Sequence, residues 1–312
     1  MANSLTEYAS QLSDFSDLLR LAAKSRNLPA AIIEKDYYLT RALCALAEAH
    51  SGKFVLKGGT SLSKGWGLLQ RFSEDIDLLL RDDGATNTEK HKRLRRCANT
   101  IKQTEGFESL EVRNSETGVH RTVAFGYSSV STDLPGLSKT VLLEAGYRGN
   151  ATQAVTRPIQ SMLTEFSAAH GHGNLAADLS PFDIEAQSLQ RTFVEKLFAA
   201  HAAYLRNFAA DGKARHYYDL YEMCNLEEIK AFAGTADYRR CIREVREFSQ
   251  QTFPEQGLPE SESFTQSPAF NPDGDGLKTL EKNYKAEAEL FFIGQPLLAD
   301  VLKAISDLLP QL

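Results

Sequence analysis

A double glycine between a short apolar strand and a helix constrains this chain more than any other feature. Lys53-Phe54-Val55-Leu56-Lys57 has the composition of a strand, Gly58-Gly59 breaks it, and a helical segment from Ser61 to Leu69 follows. Paired glycines let the backbone turn sharply and come close to another group. Thr60 then stands at the start of the helix, where unpaired N–H groups face outwards and favour a phosphate. Glu74 to Leu80 predicts a second strand, on which Asp75 and Asp77 sit at i and i+2 and share one face. Alone, a Gly-Gly is commonly a turn and an Asp-x-Asp at a strand edge is commonly just solvated. Their order and closeness give them a joint meaning.

Two carboxylates on one rigid face repel each other unless a cation lies between them. Hard oxygen ligands with room left for phosphate oxygens suit Mg²⁺, with Mn²⁺ as an alternative. A phosphate cradle beside such a pair is the equipment for moving a nucleotide from an NTP. One metal activates the attacking hydroxyl and another steadies the triphosphate. A third carboxylate from a neighbouring strand is expected, and Glu144, the lone acid of Val141-Leu142-Leu143-Glu144-Ala145, is the candidate. Burying it unpaired would be costly, so it either reaches a cation or lies at an exposed edge.

The remaining pattern predicts an α+β fold, a small mixed sheet with flanking helices followed by a mainly helical half. Helices are expected over 6–26, 30–49 and 87–105, and strands over 122–128, 139–147 and near Phe182-Asp183-Ile184-Glu185. From Ser188 the periodicity is helical except over 253–276, a Pro- and Gly-rich connection before terminal helices at 278–292 and 296–309. The boundary falls near residue 185, giving domains 1–185 and 186–312, the second contributing to the active site. With 42% hydrophobic and 24% charged residues over 312 positions, the chain has material for a proper core.

Several function classes drop out. No apolar run approaches the roughly 18 residues of a membrane span. Met-Ala-Asn-Ser-Leu-Thr-Glu-Tyr lacks a basic-then-apolar leader, so a cytoplasmic location is expected. Cys44, Cys97, Cys224 and Cys241 lie far apart, which argues against a zinc knuckle or a disulfide framework. A net charge of −6 argues against coating nucleic acid by bulk charge. Basic residues nevertheless cluster at Lys90, Lys92, Arg93, Arg95 and Arg96, and again at Arg239, Arg240, Arg243 and Arg246. Each cluster reads either as a solvated helix face or as a binding patch, and the first is the better guess for an RNA backbone contact.

Lys57-Gly58-Gly59-Thr60-Ser61-Leu62 followed by Arg71-Phe72-Ser73-Glu74-Asp75-Ile76-Asp77-Leu78 closely resembles the AbiEii/AbiGii nucleotidyltransferase-like toxins, which include the MenT toxins and belong to the DNA polymerase β-like superfamily. The resemblance extends to Ile33-Glu34-Lys35-Asp36-Tyr37-Tyr38-Leu39-Thr40, Phe193-Val194-Glu195-Lys196-Leu197 and Arg215-His216-Tyr217-Tyr218-Asp219-Leu220-Tyr221. It implies a polymerase β-like nucleotidyltransferase core and a toxin of a type IV-like toxin–antitoxin or phage-defence pair with a cognate antitoxin. It also implies transfer of nucleotides from an NTP to the 3′ end of tRNA, blocking translation. Gly59 and Thr60, with Lys57, Gly58, Ser61, Ser73 and Arg215, would then bind the nucleotide. Asp75 and Asp77 would bind Mg²⁺, Lys196 would contact phosphate, and Asp219 would complete the site. The match for Glu144 is less close, so its role rests on the strand argument.

Bland readings stand beside these. Arg191 and Glu195 could be an ordinary surface pair with Lys196 solvated, and Arg215 lies four residues before Asp219 as its simplest partner. Ser73, two residues before Asp75, is a modification candidate, since a phosphate there would set negative charge beside a cation site. His170-x-His172 reads as a flexible loop, Ser131 and Ser161 lack a nucleophile elbow, and His216 reads as packed. The alternative activities are nucleotidyl transfer to a small molecule or a protein, and a non-catalytic nucleotide-binding module.

Overall fold

A computed structural model describes residues 7–114, 119–132, 134, 136–147, 149, 151, 153–171, 175–208, 214–252 and 263–311. The chain divides into two units: residues up to Gly67 with Ser73–Ala186, and Leu68–Phe72 with Gln187–Leu312.

The first unit carries α1 (Phe15–Arg26), α2 (Ala30–Ala49), β1 (Phe54–Lys57), a short α3 (Gly58–Thr60), β2 (Asp75–Leu80), α4 (Asn87–Gln103), β3 (Phe107–Asn114), β4 (His120–Tyr127), β5 (Thr140–Gly146), β6 (Ala154–Ile159), α5 (Met162–Ala169) and β7 (Phe182–Gln187). Its seven-stranded mixed sheet has the order β3-β4-β5-β2-β1-β7-β6. The strand alternation expected from the sequence holds. Ile76, Leu78, Val123, Phe125, Val141, Leu143 and Ala145 are buried in one core with Leu39, Leu43, Leu94 and Ile101 of α2 and α4. Each of the larger side chains, Val, Leu, Ile or Phe, removed from water stabilises the fold by about 1.5–3 kcal/mol. Because the side-chain period is two, that burial forces Asp75, Asp77 and Glu144 onto the opposite, half-buried face.

The sequence does not announce β3 or β6, and the reason is their place in the sheet. They are its two edges. Charged Glu108, Glu111 and Arg113 mask the strand pattern in β3, and Pro158 interrupts it in β6, as edge strands tolerate. The expected first helix begins at Phe15, not residue 6. Upstream, the Ala9 N–H donates to Asp178 (2.8 Å) and the Ser10 N–H to the Tyr37 hydroxyl (3.0 Å), which hold that stretch in another path.

The second unit contains α6 (Leu189–Leu205), α7 (Arg215–Cys224), α8 (Glu227–Phe232), α9 (Ala236–Thr252), α10 (Gly274–Ala286) and α11 (Leu298–Leu308). Of the expected connection at 253–276, residues 253–262 lie outside the described residues. The helix expected over 278–292 stops at Ala286, because the next residues pair with a distant segment. The Phe72 N–H donates to the Leu290 carbonyl (2.8 Å) and the Phe292 N–H to the Gln70 carbonyl (2.9 Å). The Tyr218 hydroxyl accepts from the Gln70 N–H (3.0 Å), and its ring meets Phe291 edge-on at 4.7 Å. Leu68–Phe72 is thus pinned within the second unit on both sides. No helix among the described residues is long and apolar enough to cross a membrane.

Candidate active site

In the first unit β1 and β2 run antiparallel with Lys57 opposite Asp77, so the glycine bend follows directly at the acid-bearing end of β2. Gly58 has φ +71°, a conformation that costs other residues about 1–2 kcal/mol. The chain continues as α3 and then as wider π-helical turns over Ser61–Gly65. A Cβ on Gly58 would overlap the Asp77 carboxylate and lie 2.9 Å from its Cγ. Asp77 therefore packs directly on the Gly58 backbone, which makes the bend and the acid one structural feature. Gly58→Ala is expected to displace the Asp77 carboxylate and lower transfer activity at least ~100-fold, a cost of ~3 kcal/mol at the reacting centre. Rates near wild type in a folded Gly58→Ala protein would contradict this coupling.

The hydroxyls expected to meet a nucleotide are committed to the protein. Thr60, fully buried, donates to the Asp75 carbonyl and shares a hydrogen bond with the Ser73 hydroxyl at 3.0 Å. Ser61, also buried, donates to the Gly58 carbonyl (2.9 Å). These contacts brace the bend against the acid-bearing strand. A helix start in general leaves its first-turn N–H groups without intrahelical carbonyls, which is the property that suits such a bend to a phosphate.

Glu144 pairs in parallel register with Asp77, and Thr122 lies opposite Glu144 on β4. The three acids share a face. Among the described residues, however, no three His, Cys, Asp or Glu side chains come together in a group able to hold a metal ion. The Asp75 and Asp77 carboxylates that share the face are hard oxygen donors of the kind that suits Mg²⁺.

Sequence spacing does not reveal what supports this face. Glu34, Lys35 and Asp36 on α2 are all buried, and each ties down a different segment. Glu34 accepts from the Val130 N–H (2.6 Å) and the Ser129 hydroxyl (2.7 Å). The Lys35 ammonium pairs with Glu74, next to Asp75, and donates to the Ser138 hydroxyl (3.2 Å). Burial pulls its pKa down, while Glu74 and then Asp75 pull it back up. Asp36 pairs with Lys64 at 2.6 Å and accepts from the Met162 N–H at the start of α5 (2.7 Å). A run of three charged residues in a helix otherwise buried all round was the available signal, because buried charges persist only when partnered.

The second unit holds a separate charged cluster. Asp219, fully buried on α7, accepts two parallel bonds from Arg71, from Nε at 2.7 Å and from Nη2 at 2.8 Å. Lys196 on α6 approaches the same carboxylate at 2.6 Å, and His216 Nδ1 lies 3.4 Å from the Lys196 ammonium. Burial opposes the Asp219 charge, but Arg71 and Lys196 outweigh it and hold the carboxyl well below the usual range. Burial also lowers the Lys196 pKa against the pull of Asp219. Lys196 is therefore an enclosed cation, not a solvated one. The Arg191–Glu195 pair does form (2.9 Å), but Arg191 is buried and also reaches Glu244 on α9 (2.9 Å). Spacing assigns Arg71 no role, because a buried guanidinium needs a carboxylate and its partner lies 148 residues away.

The remaining candidates resolve into structure. Ser161 caps α5 by accepting from the Thr164 N–H (2.9 Å), and Ser131 bonds Glu34. His170 Nδ1 lies 2.8 Å from the Phe166 carbonyl and its ring sits 4.2 Å from the Phe166 ring, while His172 lies outside the described residues. On α4, Lys90 pairs with Asp82, and Arg93 with Asp83 (2.9 Å). Arg96 reaches Glu89 (3.4 Å) but remains exposed, as do Lys92 and Arg95.

The MenT4 nucleotidyltransferase toxin from Mycobacterium tuberculosis H37Rv has a similar fold, with a TM-score of 0.60 at 16% sequence identity, covering 95% of this chain and 90% of that one. No curated protein matches the sequence. The family model described as "Nucleotidyl transferase AbiEii toxin, Type IV TA system" matches residues 41–308, which takes in the glycine bend, the aspartate pair, Lys196 and Asp219. The chain belongs to the AbiEii family of nucleotidyltransferase toxins of type IV toxin–antitoxin systems.

Proposed function

We propose that this protein transfers a nucleoside monophosphate from an NTP to the 3′ end of an RNA, with tRNA as the acceptor, and so blocks translation until a cognate antitoxin relieves it. The observation that carries the reading is the packing of Asp77 on Gly58, which joins a phosphate-binding bend to a pair of carboxylates on one strand face. Asp75 and Asp77 would hold Mg²⁺, which when bound supplies positive charge to the phosphate oxygens and the attacking hydroxyl. The N–H groups of Gly59 and Thr60 receive phosphate oxygens, while the Thr60 and Ser73 hydroxyls hold the bend in place. The RNA 3′ oxygen bonds to the α-phosphorus, the bond from that phosphorus to the β-phosphate oxygen breaks, and pyrophosphate leaves. Glu144, on the same face as Asp77, is the carboxylate assigned to take the hydroxyl proton. In the second unit Lys196, Arg71 and Arg215 make a cationic cluster suited to phosphate. Exposed Lys92, Arg95 and Arg96 on α4 are assigned to the RNA backbone.

Incubation with each α-labelled NTP and a panel of total tRNA, cell protein and aminoglycosides tests this reading. Label is expected on tRNA 3′ ends. Label on protein or on a small molecule alone would replace the acceptor, and no label on any acceptor would overturn the transfer reading.

A further inference from the structure

In the first unit a cavity of about 590 Å³ opens between the end of α2, the β1–β2 pair and α4. Phe54 and Leu80, partners in the strand register, line it together with Cys97 of α4, and all three are buried. Lys57 and Asp77 pair three places further along the same two strands. At about 3.3 Å per residue, that sets the cavity ~10 Å along the strands from Asp77. Of the residues assigned to transfer, Arg96 alone among the described residues lines it. The wall is mostly apolar with a few polar groups at fixed places, which is the make-up of a small-molecule site.

Two features say what kind of molecule it would take. The first is Tyr147. Its hydroxyl is buried and makes no hydrogen bond of good geometry, although Arg93 lies beside it in the same wall. Phenylalanine would fill that space without the cost of a buried, unpartnered hydroxyl. The second is charge. Arg93 pairs with Asp83 at 2.9 Å, Arg96 reaches Glu89 at 3.4 Å, and Arg81 bonds Glu185 at 2.7 Å. Lys53, exposed at the rim, makes no ion pair among the described residues. Four cations in the wall therefore meet three acids, and one positive charge is left over.

We propose that this cavity binds a small organic anion, a flat ring body bearing one carboxylate. The ring lies among Phe54, Leu80 and Cys97, the Tyr147 hydroxyl donates to a carboxylate oxygen, and the excess charge of the rim balances the anion. The proposal is independent of the NTP reading, since it uses neither the glycine bend nor the aspartates.

Equilibrium dialysis of the full chain in EDTA, without NTP, tests it with 1-naphthoate and 1-naphthalenemethanol, which share a ring body and differ in charge. The wild type is expected to bind naphthoate at least about tenfold more tightly than the alcohol. Tyr147→Phe keeps the ring and removes only the hydroxyl. It is expected to weaken naphthoate binding about three- to tenfold while the melting temperature stays level or rises. Ala49→Trp puts a large side chain into the cavity from an exposed position in its wall, and is expected to abolish binding of both compounds in a folded protein. Absence of naphthoate binding to the wild type would mean that the cavity holds water only, and would overturn the proposal. Equal affinity for the alcohol, or binding that both variants leave unchanged, would overturn it too. A lower melting temperature in Tyr147→Phe with unaltered binding would give the hydroxyl a structural role and have the same consequence.

Discussion

Asp77→Asn is expected to fold as the wild type does and to lose about a thousandfold or more of its nucleotidyl transfer. Asparagine keeps the shape that packs on Gly58 but has no charge to hold a divalent cation, and a lost metal ligand worth ~4 kcal/mol corresponds to about three orders of magnitude in rate. Asp75→Asn should behave alike, since the two acids share the half-buried face of β2. Circular dichroism and initial rates of label transfer check both halves of the statement. The fold should survive because the apolar face of the same strand, Ile76 and Leu78, is untouched and remains buried.

The second large effect is on stability. Asp219→Asn should destabilise the second unit by about 3–5 kcal/mol, because Arg71 and Lys196 are left buried without their counter-charge. Lys196→Met removes one of the two cations and leaves the paired Arg71–Asp219 bonds intact, so it should cost much less stability while still lowering activity. Urea unfolding of the two variants separates the roles. Equal stability of Asp219→Asn and wild type would contradict the account of the cluster. The acid dependence has a definite sign. The Asp219 pKa is depressed in the folded state, so its contribution is present above the ordinary Asp pKa. It is lost only as the pH falls below that value toward the folded-state pKa.

What could be read from the sequence was what depends on local pattern. The bend, the aspartate strand, α2 and the alternation of β2 and β5 follow from composition and a period of two or 3.6 residues. Edge strands β3 and β6 escaped, because charge and proline suit an edge and hide the strand pattern. At the site, spacing put Asp75 and Asp77 on one face but could not show that Asp77 lies against Gly58. That contact depends on the β1–β2 register. Nor could it pair Arg71 with Asp219, or send Glu34, Lys35 and Asp36 to three separate segments, since these contacts join residues far apart in the chain. Thr60 and Ser61 show the opposite limit. Their positions match the motif, but their hydroxyls hold the loop, a distinction that spacing does not carry.

Equilibrium binding of the four NTPs, with Mg²⁺ and again in EDTA, tests the pairing of bend and aspartates most directly. The wild type should bind at least one NTP far more tightly with Mg²⁺ than without it, and Asp75→Asn together with Asp77→Asn should abolish that difference. Binding that is equally strong in EDTA, or a Mg²⁺ effect that survives loss of both carboxylates, would contradict the account.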